Sequence, residues 1–99
     1  MPFMALELCV LLWASDGQEE ALSRYEDTVL ALLPKYGGRV VSRVRRIGEG
    51  TGPLEVQVIL MPSDVALQAY MQDPERLALA HVHRETVART ELLNVRKMV

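Results

Sequence analysis

The chain has one cysteine in 99 residues, one tryptophan, one phenylalanine and only two histidines. A lone Cys9 has no second cysteine to pair with, so this is no disulfide scaffold. A single thiol inside an apolar run fits a reducing compartment. Charge of one sign is also missing: the formal net charge is −2, whereas phosphate binding needs a basic surface, which argues against nucleic acid as the main partner. No apolar run approaches the ~20 residues of a membrane span, and Met1-Pro2-Phe3-Met4 carries no basic leader region. The expectation is a cytoplasmic protein with neither a membrane nor a nucleic-acid partner. Its 49% apolar and 24% charged residues are ordinary globular composition, and this length supports a single domain, 1–99.

What is present is a regular succession of elements. Leu6 to Trp13 (LELCVLLW) lacks Gly and Pro and suits a central strand covered on both faces. Asp16 offers a helix N-cap, with Glu19 completing a capping box. Leu22, Tyr25, Val29, Leu32, Leu33 and Tyr36 then recur at helical spacing, the clearest amphipathic helix in the chain. Pro34 loosens its last turn and Gly37-Gly38 stops it. Arg39 to Ile47 alternates β-branched and charged residues as a second strand. After the turn chemistry of Gly48 to Pro53, Leu54 to Met61 alternates as a third, making a hairpin.

Pro62 ends that strand and Ser63 caps a second helix carrying Leu67, Tyr70 and Met71 inward. Asp73-Pro74 interrupts it, because the residue before a proline leaves the α region while Pro74 suits a first helical turn. The new helix is expected to run to about Thr90, with Leu92 to Val99 as the fourth strand. This βαββαβ order in one short chain predicts an α+β, ferredoxin-like four-stranded antiparallel sheet with helices on one face.

Alternation sorts the strand faces. Leu6, Leu8, Val10 and Leu12, with Leu54, Val56, Val58 and Leu60, form an apolar set expected under the helices. Glu7, Cys9, Leu11 and Trp13, with Glu55, Gln57, Ile59 and Met61, make a mixed outer face. Its Trp13, Leu11, Ile59 and Met61 are too much apolar surface for a monomer to leave in water. At ~25 cal/mol per Å² and ~150–250 Å² for a large aromatic, covering that face is worth several kcal/mol. A homodimer packed sheet to sheet is the expected cover.

The element order, Tyr36-Gly37-Gly38-Arg39-Val40 after the first helix, the FPS-like Met61-Pro62-Ser63 and the Asp73-Pro74-Glu75 break together carry a resemblance over nearly the whole chain. They resemble the dimeric α+β barrel superfamily, in a branch without an assigned function. The resemblance implies a barrel-forming homodimer. It also implies architectural similarity to cofactor-free monooxygenases of antibiotic biosynthesis, muconolactone isomerases, dye-decolourising peroxidases and simple ligand binders. A shared fold does not choose among these.

The chemistry-bearing residues are few. His81 and His83 form an H-x-H, but on a helix residues two apart point ~200° from each other and cannot share an ion. A surface role competes with one histidine acting as a general base at a pocket mouth. Cys9 reads as a buried inert thiol. Gly48-Glu49-Gly50-Thr51-Gly52 lacks the Lys-Ser/Thr pair and following helix of a phosphate loop, so it reads as a hairpin turn. No metal and no organic cofactor are expected.

The arginines of the second strand fit cross-strand pairing, Arg45 with Glu55 and Arg43 with Gln57, at the rim of the outer face. The competing reading is an anion site. Tyr25, Tyr70, Trp13 and Asn94 are candidates to line a cavity between sheet and helices. The candidate ligand-binding residues are Tyr25, Tyr70 and His83. For His83 two helix stripes compete: Leu79, Val82 and Thr86 inward place it beside the pocket, while Leu77, Ala80 and Val87 inward place it in solvent. Two functions follow: a homodimeric domain that binds a small ligand or none, and a cofactor-free monooxygenase or isomerase acting on a small aromatic or polyketide-like substrate. The first predicts a core filled by Tyr and Leu, the second a cavity where His and Asn converge.

Overall fold

The computed structural model describes residues 5–99; Met1 to Met4, the stretch read for a leader, lie outside them. Strand β1 (Leu6–Ala14) is followed by helix α1 (Glu19–Leu30), strand β2 (Arg39–Arg45), strand β3 (Glu55–Met61), helices α2 (Asp64–Met71), α3 (Pro74–Ala78) and α4 (Ala80–Thr86), and strand β4 (Val87–Asn94). The sheet order is β2-β3-β1-β4 and every pairing is antiparallel. The expected βαββαβ α+β architecture is therefore present. Cα atoms span only 16 Å in the thinnest direction, enough for one sheet and one layer of helices.

Local chemistry explains most boundaries. Gly37 closes the 3₁₀ turn Leu33–Tyr36 at φ 79°, and its amide donates to the Pro34 carbonyl at 3.0 Å. Gly38 lies so close to the Met61 sulfur that a Cβ there would collide with it. Ser63 caps α2, its hydroxyl accepting from the Ala66 amide at 3.1 Å. Asp73 caps α3, accepting from the amides of Glu75 and Arg76 at 2.8 and 3.3 Å. Its other oxygen accepts from Lys35 Nζ at 2.8 Å and from the Tyr36 hydroxyl. One enclosed carboxylate thus ties the 3₁₀ turn to the helix break that Asp73-Pro74 predicts.

Three expectations are corrected. Asp16 does not cap α1: Asp16-Gly17 forms a turn with Gly17 at φ 74°, and Gln18 takes the N-cap position without a side-chain bond. The last helix stops at Thr86 rather than near Thr90, because Val87 pairs with Ala14 of β1 and the Thr86 hydroxyl turns back to the Val82 carbonyl at 2.8 Å. Strand β4 accordingly begins at Val87, not Leu92.

The third correction concerns β3, whose faces are inverted. Leu8, Val10 and Leu12 stand opposite Ile59, Gln57 and Glu55, so these three join the helix-covered face. Val56, Val58 and Leu60 stand with Leu11, Cys9 and Glu7 on the open face. Burial agrees: Glu55, Gln57, Ile59 and Met61 are buried, while Val56, Val58 and Leu60 are only half-buried. The alternating apolar row of β3 lies outside because the polar row finds partners inside. The core is Leu8, Leu22, Val29, Leu33, Ile59, Met61 and their neighbours, between the sheet and α1 and α2.

Candidate functional site

Helix α1 carries Ser23, Glu26 and Asp27 toward β2 and β3, and a polar cluster forms there beneath the helix. Arg43 Nε and Nη2 donate to the two oxygens of Glu55 at 2.7 and 2.8 Å, and Arg43 Nη1 donates to Asp27 at 2.6 Å. The Ser23 hydroxyl adds a bond to Glu55 at 2.6 Å. Burial opposes ionisation of Glu55, but the bonds from Arg43, Ser23 and Gln57 outweigh it and hold the carboxyl below its ordinary range. The expected register, Arg45 beside Glu55 and Arg43 beside Gln57, is present. It lies under the helices rather than at the rim of the outer face, and Arg43 is spent on carboxylates already there.

Gln57 links this cluster to a cavity. Its Nε2 donates to Glu55 at 3.1 Å and to Glu26 at 2.8 Å. Glu26 is 6% exposed and has no arginine within ion-pair distance among the described residues. Burial raises its pKa; the Gln57 bond pulls it back in part, and the nearby Glu55 charge pushes it up again.

Beyond Glu26 opens a cavity of about 380 Å³ between the sheet and the helices. Val10, Leu12, Ile59, Leu30 and Leu67 make its apolar walls, while Tyr25, Glu26, Gln57, Tyr70, Arg76 and His83 bring polarity. The structure therefore brings the three candidate residues Tyr25, Tyr70 and His83 to one cavity. The Tyr25 and His83 rings meet edge to face with centroids 5.7 Å apart. The Tyr70 hydroxyl donates to the Val29 carbonyl at 3.0 Å. The Tyr25 hydroxyl makes no hydrogen bond among the described residues, and burial raises its pKa. His83 is pulled down by burial and by the charges of Arg76 and Arg84, which favours neutral imidazole near pH 7.

On the helix stripes, Leu79 and Val82 pack on the core and Thr86 is buried, which sets His83 beside the cavity. Of the competing stripe, Leu77 and Ala80 line the cavity as well and Val87 is buried, so residues of both stripes reach it. Trp13 and Asn94 do not line it. Trp13 lies on the open face, where its Nε1 donates to the Thr51 carbonyl at 3.0 Å and the Arg89 guanidinium stacks 4.4 Å from its ring centroid. Asn94 sits exposed at the end of β4. His81 is exposed, and no group of three His, Cys, Asp or Glu side chains suited to a metal ion occurs among the described residues.

No family model matches the chain, and no curated protein matches its sequence. Solved structures do match, along almost its full length. A dimeric protein of unknown function from Bacteroides fragilis, with a ferredoxin-like fold, is 13% identical at a TM-score of 0.70, covering 97% of this chain and 100% of that one. The chain has the ferredoxin-like fold. SnoaB, a cofactor-independent oxygenase from Streptomyces nogalater, is 12% identical at a TM-score of 0.69, covering 96% of each chain. A putative antibiotic biosynthesis monooxygenase from Bacteroides thetaiotaomicron is 9% identical at 0.76, covering 96% of this chain and 90% of that one. Identities this low speak to architecture and leave activity to the site. Among the described residues no helix is long and apolar enough to cross a membrane.

Sequence reasoning missed Glu26, Gln57 and Arg76 as cavity residues. Glu26 follows Tyr25 on α1, off the stripe of Leu22, Tyr25 and Val29, and the helical spacing does not single it out. Gln57 was assigned to the outer face by alternation. Arg76 carried no local signal, since its place over Tyr70 is set by the α2–α3 break.

Proposed function

We propose that this chain is a homodimeric, cytoplasmic small-ligand-binding domain whose ligand sits within one subunit, between sheet and helices. The cavity beside Tyr25, Tyr70 and His83 carries the reading, because its volume of about 380 Å³ falls in the range of small-molecule sites. Apolar walls with a few convergent polar groups are the usual composition of such sites. The expected core of Tyr and Leu is there, and Tyr25 and Tyr70 also border the cavity beside it, which leaves room for a ligand. The oxygenase or isomerase reading loses support at the same place: Trp13 and Asn94, two of its donors for a developing anion, lie away from the cavity.

The dimer rests on the open sheet face. Leu11, Trp13, Val56, Val58 and Leu60 are half-buried there, and Val44 and Leu93 are exposed. A row of this kind across four strands is an uncovered sheet face, and a second copy covers it with matching chemistry. Thermal shift against small aromatic acids and quinols tests the ligand site, with Tyr25→Phe and His83→Ala as variants. A parent response that weakens in both variants supports the reading. An unresponsive parent, or variants responding like the parent, counts against it.

A further inference from the structure

Arg76 is the cavity residue that the structure leaves unsettled. Its Nε is buried and has no hydrogen-bond partner among the described residues. Its guanidinium carbon stands 5.1 Å from the Tyr70 ring centroid. Arg43, Arg45 and Arg89 each hold a carboxylate, whereas no ion pair among the described residues includes Arg76. Its guanidinium acts on Tyr70 through a side-chain hydrogen bond as well as its charge, and its charge reaches Tyr25, Glu26 and His83, so it sits among the polar groups of the cavity with Nε still unpartnered. A guanidinium presents five N–H donors, and a buried donor left unpaired costs free energy that an arriving acceptor returns.

Glu26, a carboxyl that lines the same cavity, forms no ion pair with Arg76 among the described residues. Glu26 Oε1 accepts from Gln57, and burial favours the neutral form of its carboxyl. His83 is held toward its neutral form and adds no settled second charge. The cavity therefore carries a guanidinium held in no ion pair among the described residues, a free tyrosine hydroxyl and an aliphatic wall of Val10, Leu12, Ile59 and Leu67.

We propose that the ligand is a small monocarboxylic acid, its apolar body against Val10, Leu12, Ile59 and Leu67 and its carboxylate paired with Arg76 and the Tyr25 hydroxyl. The proposal rests on the ligand-binding reading and adds the chemical class. Arginine suits the role because its planar fork matches a carboxylate in two-pronged geometry.

Titration calorimetry on the full chain tests it with matched probes: benzoate, 2-naphthoate and octanoate, each beside its neutral amide. The parent should bind at least one acid about tenfold or more tighter than its amide, the ratio expected when a charged hydrogen bond is gained. Arg76→Met should erase that preference while leaving the amide's affinity unchanged within about threefold, and Arg76→Lys should keep part of it. Because Arg76 holds no ion pair, Arg76→Met should melt within about 5 °C of the parent. Acid and amide bound equally by the parent, or an acid preference that survives Arg76→Met, would overturn the carboxylate assignment while the ligand site stands. No binding of any acid or amide would overturn both. A melting loss well beyond about 10 °C would mark Arg76 as a structural residue and also sink the proposal.

Discussion

Arg43 and Glu55 face each other across the β2–β3 hairpin in a two-pronged ion pair, with N···O distances of 2.7 and 2.8 Å. The pair lies beneath α1, and the Glu55 side chain is 2% exposed. A carboxylate in that position is tolerated because its oxygens are occupied by Arg43, Ser23 and Gln57. Removing the guanidinium leaves a buried charge with neutral donors only. Arg43→Met should cost about 3 kcal/mol, the lower end for breaking a buried pair, since Arg43 itself is partly exposed. Adding Glu55→Gln should restore more than half of the loss. Urea denaturation of the parent, the single variant and the double variant measures both, and a loss unchanged in the double variant would contradict the pairing argument.

Glu26 works in the opposite sense. Its folded pKa is raised above the unfolded value, chiefly by burial. Between those two values the folded state holds more protons, so this group's contribution to stability falls as pH rises through the interval and is level above it. Glu55 and Asp73 have lowered folded values, and each loses stability as pH falls. The parent's profile sums these opposed slopes, so a difference experiment isolates Glu26. Glu26→Gln keeps an acceptor for Gln57 and cannot ionise. It should be more stable than the parent at pH 7, with an advantage that shrinks on acidification. An advantage independent of pH between 4 and 7 would contradict the assignment.

Val58 stands mid-sheet on the open face, beside Cys9 of β1 and Ser42 of β2. Val58→Glu should halve the mass seen by light scattering at micromolar concentration, because it buries an unpaired charge in a sheet-to-sheet interface. Its far-ultraviolet dichroism should stay native, since the core lies on the other face. A parent already at the mass of one chain would contradict the dimer.

Much of this was legible beforehand. The apolar run of β1, the helical stripe Leu22-Tyr25-Val29 and the hairpin register all follow from local chemistry, and each is present. The faces of β3 were not legible. Leu54, Val56, Val58 and Leu60 alternate as an inward row should, while Glu55 and Gln57 enter the core only because α1 supplies Ser23 and Glu26 and β2 supplies Arg43. Those partners lie 31 and 32 residues away for α1, and 12 for Arg43. The open face loses Ile59 and Met61 to the core and gains Val56, Val58 and Leu60 in their place. The convergence of Tyr25 with Tyr70 was foreseeable from helix stripes. Arg76 was not, because a five-residue helix shows no periodicity.

Filling the cavity tests the central claim most directly. Ala80 borders it at the first turn of α4, so Ala80→Trp puts an indole into the space assigned to the ligand. Melting temperatures of parent and variant would be followed against the panel of small aromatic acids and quinols. A true ligand at a hundred times its dissociation constant stabilises the parent by about 2.7 kcal/mol, a rise of roughly 10 °C or more for a domain of this size. The account predicts that rise in the parent and no response in a folded Ala80→Trp protein. An equal rise in both, or none in the parent for any compound, would contradict a ligand site between sheet and helices.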